Sequence, residues 1–137
     1  MFFQVCGQSM EPSYPDGRRV WAGRFSYLLR APSRGDVVVI RSPEDPRRQE
    51  LKRIVGLPHD ELAWGGQRIR VNGASVDEPY ARLRPEPPGD DLMRTIRLGP
   101  REYFVAGDNR LYSRDSRQYG PVPRRAVLGR VAAARSP

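Results

Sequence analysis

Three short segments of this chain carry residues that could do chemistry together. The first, GQSMEPSYPDG (residues 7–17), presents Ser9 just ahead of a turn stiffened by Pro12. The second, ELKRIVGLPHD (50–60), contains Lys52, the only lysine among 24 basic residues, so the other 23 are arginines. An arginine guanidinium stays protonated in proteins, whereas a lysine amine can be desolvated until it is neutral and basic. Lys52 is therefore either a chance survivor in an arginine-biased sequence or the mark of a place where a proton has to come off. The third, GDNRLYSRDSRQYGPVP (107–123), gathers Asp108, Asn109, Ser113, Asp115 and Ser116 with Arg110, Arg114 and Arg117 between two turns. Taken alone it is a polar loop with internal salt bridges.

Other pairings are weaker. His59 is the only histidine, and a Ser9–His59 triad completed by Asp60 or Asp115 would hang on a solvated turn residue. Nothing around Cys6 suggests an activated thiol. One His and one Cys cannot supply a zinc ligand set, so neither metal nor cofactor is expected. A single cysteine also excludes an internal disulfide.

The elements that must position these residues read as strands. RRVWAG, GDVVVIRS, ELKRIVGL, QRIRVNGASV, REYFVAGD and AVLGRVAA are short, β-branched and bounded by turn residues. Asn72-Gly73 is a two-residue hairpin signal. On a strand, Lys52 and Ile54 share one face while Leu51, Arg53 and Val55 take the other. FSYLLR (25–30) would make one helical turn, and no segment sustains a helical period for three turns. The expected fold is all-β, a small barrel-like arrangement of coiled antiparallel sheets in one domain spanning 1–137, with a Pro-rich excursion at about 82–91. Gly and Pro total 27 residues (13 and 14), which fits a turn-rich chain. No run approaches the 18 or so apolar residues that span a bilayer. The net charge of +8 suits nucleic acid or an anionic membrane surface, but the basic residues are scattered in ones and twos.

Taken together, the segments G-x-S-M-x-P, K-R-I-V-G-L-P-x-D and G-D-N-R-x-x-S-x-D-S-R-x-x-G-x-V-P resemble the signal peptidase I (leader peptidase) family in content, order and separation. Lesser echoes are RGDVVV, VNG and EPYA, and the likeness runs from about Val5 to Val131. It implies a serine endopeptidase in which Ser9 is the nucleophile and Lys52 the general base of an acyl-enzyme mechanism. For Lys52 to be half neutral near pH 7, its pKa must fall by about 3.4, which requires a water-poor setting. Ser113 would orient the amine. Asp115, Arg53, Arg117 and Asp108 would form a supporting network. The substrates implied are preprotein signal peptides with small residues at the first and third positions before the cut. They would be bound as an extended strand in pockets near Val5, Met10 and Leu51. The Ser9 N–H would supply part of the oxyanion hole.

Four departures accompany the resemblance. Gly7 stands where some members carry a serine that completes the oxyanion hole. His59 replaces the usual glycine of L-P-G-D, which predicts a less extended turn, and Arg18 follows Gly17 where an acid is common. Only eight residues precede Ser9, where the family carries a membrane anchor. The implied location is the extracytoplasmic face of a bacterial cytoplasmic membrane, with the anchor missing from this chain. In an anchorless relative, Phe2, Phe3, Trp21, Phe25, Tyr27, Leu28 and Leu29 would form an apolar surface at the lipid interface, unless they pack inside.

Three rivals are weighed against this. An autoproteolytic Ser-Lys repressor would need a cleavable segment ahead of the serine, and eight residues leave no room for one. A dedicated maturation protease of the same branch, acting on one partner, is not separable from a general one by sequence. An arginine-rich nucleic-acid-binding barrel lacks aromatics interleaved with its basic residues, so no nucleic-acid partner is expected. The sequence leaves the oligomeric state open.

Overall fold

The computed structural model describes residues 1–83 and 94–132, so most of the Pro-rich excursion lies outside the described residues. Eleven strands run in the order β1 (Phe2–Gln4), β2 (Arg19–Gly23), β3 (Val37–Arg41), β4 (Gln49–Gly56), β5 (Glu61–Gly65), β6 (Arg68–Val71), β7 (Ala74–Ser75), β8 (Arg94–Arg97), β9 (Glu102–Ala106), β10 (Val122–Pro123) and β11 (Val127–Val131). The helical content described is one four-residue helix, α1 (Ser116–Tyr119), and two 3-10 turns. The all-β expectation holds.

The strands form two antiparallel sheets. One has the order β1-β2-β11-β3-β4-β9-β10 and the other β7-β6-β5-β8. β3 and β4 lie in the middle of the larger sheet and are covered on both faces, which explains their nearly continuous apolar runs. β2, nearer the edge, alternates instead, with Val20 and Ala22 inward and Arg19 and Trp21 outward. The central strands separate three apolar clusters. Leu51 and Val39 pack with Val5, Met10 and Tyr14 on one side, and Ile54 and Val38 with Tyr103, Val105 and Val122 on the other. Val55, Phe104 and Ala106 join Leu62, Ile69 and Leu98 of the smaller sheet. Each such fully buried side chain contributes about 1.5–3 kcal/mol through removal from water. Where β4 passes between the sheets, a Cβ on Gly56 would come within 2.8 Å of Leu62 and 2.9 Å of Phe104.

The six segments read as strands all contain strands, and Asn72-Gly73 forms the hairpin turn with φ of 52° and 79°. FSYLLR is not a helical turn of the kind expected. It is a turn closed by Leu28 N–H donating to Phe25 C=O at 3.2 Å, with no helix following. β1, β5, β8, β10 and α1 were not anticipated. Of the seven residues considered for an apolar surface, Phe2, Trp21, Phe25, Leu28 and Leu29 are exposed. Phe3 and Tyr27 are half-buried against the first and second clusters.

Candidate active site

Lys52 stands at the middle of β4, opposite Val38 of β3, and only 4% of it is exposed. Among the described residues its amine makes one hydrogen bond, donating to Ser113 Oγ at 3.3 Å. Burial, the largest influence, drives the lysine pKa below its ordinary value. The Glu50 and Asp115 carboxylates act in the opposite direction, and Arg117 and Arg48 reinforce the lowering. Ser113 Oγ donates its own proton to Asp115 Oδ2 at 2.7 Å and accepts from Gly107 N–H at 3.1 Å. A hydroxyl has one proton to give. With that proton committed to Asp115, Ser113 can only accept from the amine, and the lone pair of a neutral Lys52 stays unused.

Asp115 is fully buried and anchors this arrangement. It caps α1 in a reciprocal capping box with Gln118 and also accepts from Gly107 N–H at 2.9 Å. Arg117 reaches it through Nε at 2.9 Å and Nη2 at 3.0 Å. Burial alone would raise the Asp115 pKa, but Arg117, Gly107 N–H and Ser113 together hold it below the ordinary carboxylate value.

Ser9 lies half-buried on the loop between β1 and β2, and residues 107–109 clamp that loop. Asn109 N–H donates to Ser9 C=O at 2.9 Å, and Asn109 Nδ2 donates to Gln8 C=O at 3.1 Å. Asp108 ties the serine loop to the lysine strand. It accepts from Ser13 Oγ at 2.7 Å and from both Nε (2.9 Å) and Nη2 (2.8 Å) of Arg53. The Arg53 guanidinium in turn lies 3.9 Å from the Tyr80 ring centroid. Gly107 packs so closely that an added Cβ would sit 2.5 Å from Ser9 C=O and would collide with Ser113 Oγ. The three segments therefore meet through Gly107, Asp108 and Asn109, of which the sequence implied a supporting role for Asp108 alone. The G-D-N triplet of the third segment was the available signal.

Ser9 and Lys52 face one cavity of about 230 Å³, without a hydrogen bond between them. Val5, Gly7, Glu50 and Leu51 also line it. Met10, expected to shape the substrate cleft, is instead fully buried in the cluster beneath and does not line the cavity, because neighbouring side chains of a tight turn point different ways. A larger hollow of about 580 Å³ lies behind Ser113, between Trp64 and Arg117, but neither Ser9 nor Lys52 reaches it. Size does not mark the chemistry here.

Gly7 has φ of +87°, and its N–H donates to Asp16 Oδ1 at 2.8 Å, so a serine there would be strained. His59 occupies the β4–β5 turn, exposed, with φ of +72°. The turn thus places His59 in the left-handed conformation that favours glycine. Asp60 is engaged with Leu57 N–H, Asn72 and Arg34, so no Ser–His–Asp triad forms with it. Cys6 is an exposed free thiol on the cavity wall.

Comparison with known proteins places this chain among serine peptidases. More narrowly, the chain belongs to the signal peptidase family, peptidase S26, whose family model matches residues 1–134. It is 30% identical to signal peptidase I V of Bacillus subtilis (strain 168) over 142 residues, covering 96% of this chain and 83% of that protein. It is 38% identical to the probable signal peptidase I-2 of Synechocystis over 133 residues, 93% of this chain and 59% of that one. It is equally 38% identical to the mitochondrial ATP-independent inner membrane protease subunit 1b of Arabidopsis thaliana over 126 residues, 91% of this chain and 63% of that protein. The chain thus spans less than two thirds of the last two relatives. The crystal structure of a signal peptidase I from Enterococcus faecalis V583 superposes with a TM-score of 0.63 at 27% identity, covering 76% of this chain and 99% of that one. Among the described residues, no helix is long and apolar enough to cross a membrane.

Proposed function

We propose that residues 1–137 form one catalytic domain that removes N-terminal signal peptides from exported preproteins, with Ser9 as nucleophile and Lys52 as general base. The observation that carries this reading is the Lys52 amine. It is buried and lacks an ion pair among the described residues, and its one partner is a hydroxyl whose proton is already given away. Such an amine is suited to being neutral and to accepting a proton.

Ser9 Oγ attacks the scissile carbonyl while Lys52 takes its proton. The resulting oxyanion accepts from the Ser9 N–H. Collapse of the tetrahedral adduct breaks the C–N bond, and the Lys52 ammonium returns the proton to the departing amine. Lys52 then deprotonates a water that attacks the ester, and the proton passes back to Ser9 as the acyl group leaves. Ser113 and Asp115 hold the amine in place. Arg53, Asp108 and Arg117 fix the strands and loops that carry these groups.

An extended substrate strand would lie along the cavity, with Val5 and Leu51 offering shallow apolar surface to small side chains. Phe2, Trp21, Phe25, Leu28 and Leu29, set in a chain of charge +8, suit the interface of an anionic bilayer. The working location is then the extracytoplasmic face of a bacterial cytoplasmic membrane.

Cleavage of a peptide with alanine at the first and third positions before the cut tests the reading. Ser9→Ala should keep the wild-type Tm and Lys52→Arg should still fold cooperatively at a lower one, and each should lose at least about a thousandfold in kcat/KM. Full activity in Lys52→Arg would refute the mechanism, because arginine cannot serve as the neutral base.

A further inference from the structure

Glu50 is two residues before Lys52 on the same strand, in the regular part of the β3–β4 ladder, so the two side chains lie on one face. It also lines the cavity shared by Ser9 and Lys52. A carboxylate so placed would ordinarily close on the lysine as an ion pair, which would fix the amine in its protonated form. It does not do so here. Lys52 makes no ion pair among the described residues, and Glu50 Oε2 instead accepts from Tyr119 Oη at 3.2 Å. Tyr119 is the last residue of α1, the helix that begins at the Asp115 cap. The 113–119 segment thus bridges to β4 twice, once from Ser113 to Lys52 and once from Tyr119 to Glu50.

We propose that Tyr119 is a positioning residue: by donating to Glu50 it holds that carboxylate off the Lys52 amine, leaving the lysine free to act as a base. The proposal rests on Lys52 being the general base and adds the residue that keeps a carboxylate on its own strand face from pairing with it. The charged groups around Lys52 are few. Glu50 comes from its own strand, Asp115 and Arg117 from the 113–119 segment, and Arg48 from the loop before β4, while Arg114 lines the same cavity and faces Glu50. Asp115 is held by Arg117 and Ser113, and Glu44, which also faces Tyr119, is paired with Arg114. Glu50 is therefore the one nearby carboxylate whose distance from the amine is set by a neutral donor. Burial, followed by the Glu50 and Asp115 carboxylates, keeps the Tyr119 hydroxyl protonated well above its usual range, so it remains a donor throughout the working pH range.

The test is the acidic limb of the kcat/KM profile for cleavage of the same alanine-containing peptide. Tyr119→Phe should move this limb to higher pH, because the released carboxylate pairs with the ammonium. Glu50→Gln should move it to lower pH. A unit charge two strand residues away, about 6.7 Å, shifts such a limb by roughly 0.5 to 2 pH units between full and partial solvent screening. In the Glu50→Gln background, Tyr119→Phe should move the limb no further, since the group it restrains is gone. A purely structural role for Tyr119 would lower activity equally in both backgrounds with the limb unmoved, and that result would overturn the proposal. An upward move in both backgrounds would also overturn it. Full activity in Lys52→Arg would instead remove the general-base reading, and this inference with it.

Discussion

Replacing Asp115 by asparagine preserves the shape of a fully buried, heavily bonded side chain at the site and removes its charge. Asp115 accepts five hydrogen bonds: Arg117 N–H and Nε at one oxygen, and Ser113 Oγ, Gly107 N–H and Arg117 Nη2 at the other. Whichever oxygen becomes an amide NH2, at least two donors lose their acceptor and face another donor. The Arg117 guanidinium, itself buried, is left without its counter-charge. Removing one partner of a buried pair costs about 3–5 kcal/mol. That is a large part of the roughly 5–15 kcal/mol that holds a domain folded. With a urea slope of about 2 kcal/mol per molar, the unfolding midpoint of Asp115→Asn should fall by about 2 M. Tryptophan fluorescence provides the signal, because Trp64 packs against Phe104 with ring centroids 5.0 Å apart. A midpoint within about 0.5 M of wild type would refute the view that this buried pair holds the Ser113 loop.

Other expectations follow from the same geometry. Gly107→Ala should cost about 1–3 kcal/mol through overpacking, read as a lower Tm, and should cut kcat/KM by displacing both Ser9 and Ser113. Lys52→Met should be inactive yet more stable than wild type at neutral pH. The lysine pKa is lowered by folding, so the unfolded chain binds more protons and the native state bears the cost at low and neutral pH. Denaturation curves for the two proteins should converge as pH rises to the unfolded lysine value, about 10.4. Asp60 and Asp115 both have folded pKa values below the unfolded one despite burial, through hydrogen bonds from Leu57 N–H, Asn72 and Arg34 to the first and from Arg117 to the second. Their stabilisation should be complete above about pH 4 and fade as pH drops through the folded values, seen as Tm against pH from 2 to 6.

What could be read from the sequence depended on whether a residue's partners were implied by local pattern. The strands around Val37 and Lys52 announce themselves because burial on both faces leaves an apolar run. Asn72-Gly73 fixes its hairpin because both residues accept left-handed backbone. β1, β8 and β10 are short edge strands whose form is set by distant partners, and in ELAWG an alanine and a glycine dilute the apolar signal. α1 is too short for a helical period, although its capping box is legible as D-S-R-Q. At the site, the resemblance to signal peptidase I implied Ser9, Lys52, Ser113 and Asp115, and these lie around one cavity and its adjoining loop. Sequence adjacency misplaced Met10, since a tight turn sends it into the core while Ser9 stays at the cavity. The clamp made by Asn109 and the close approach at Gly107 join residues about a hundred positions apart, and the G-D-N triplet marks these residues without encoding the partners they meet.

The protonation of Lys52 is the most direct test of the account, and the composition makes it accessible. Because the chain has one lysine, labelling lysine with 13C at Cε gives a single resonance to follow against pH. Its midpoint in the folded protein should lie below the ordinary 10.5 and return to that value in urea. A folded-state midpoint at or above 10.5 would contradict it, because a lysine that stays protonated cannot take the proton of Ser9.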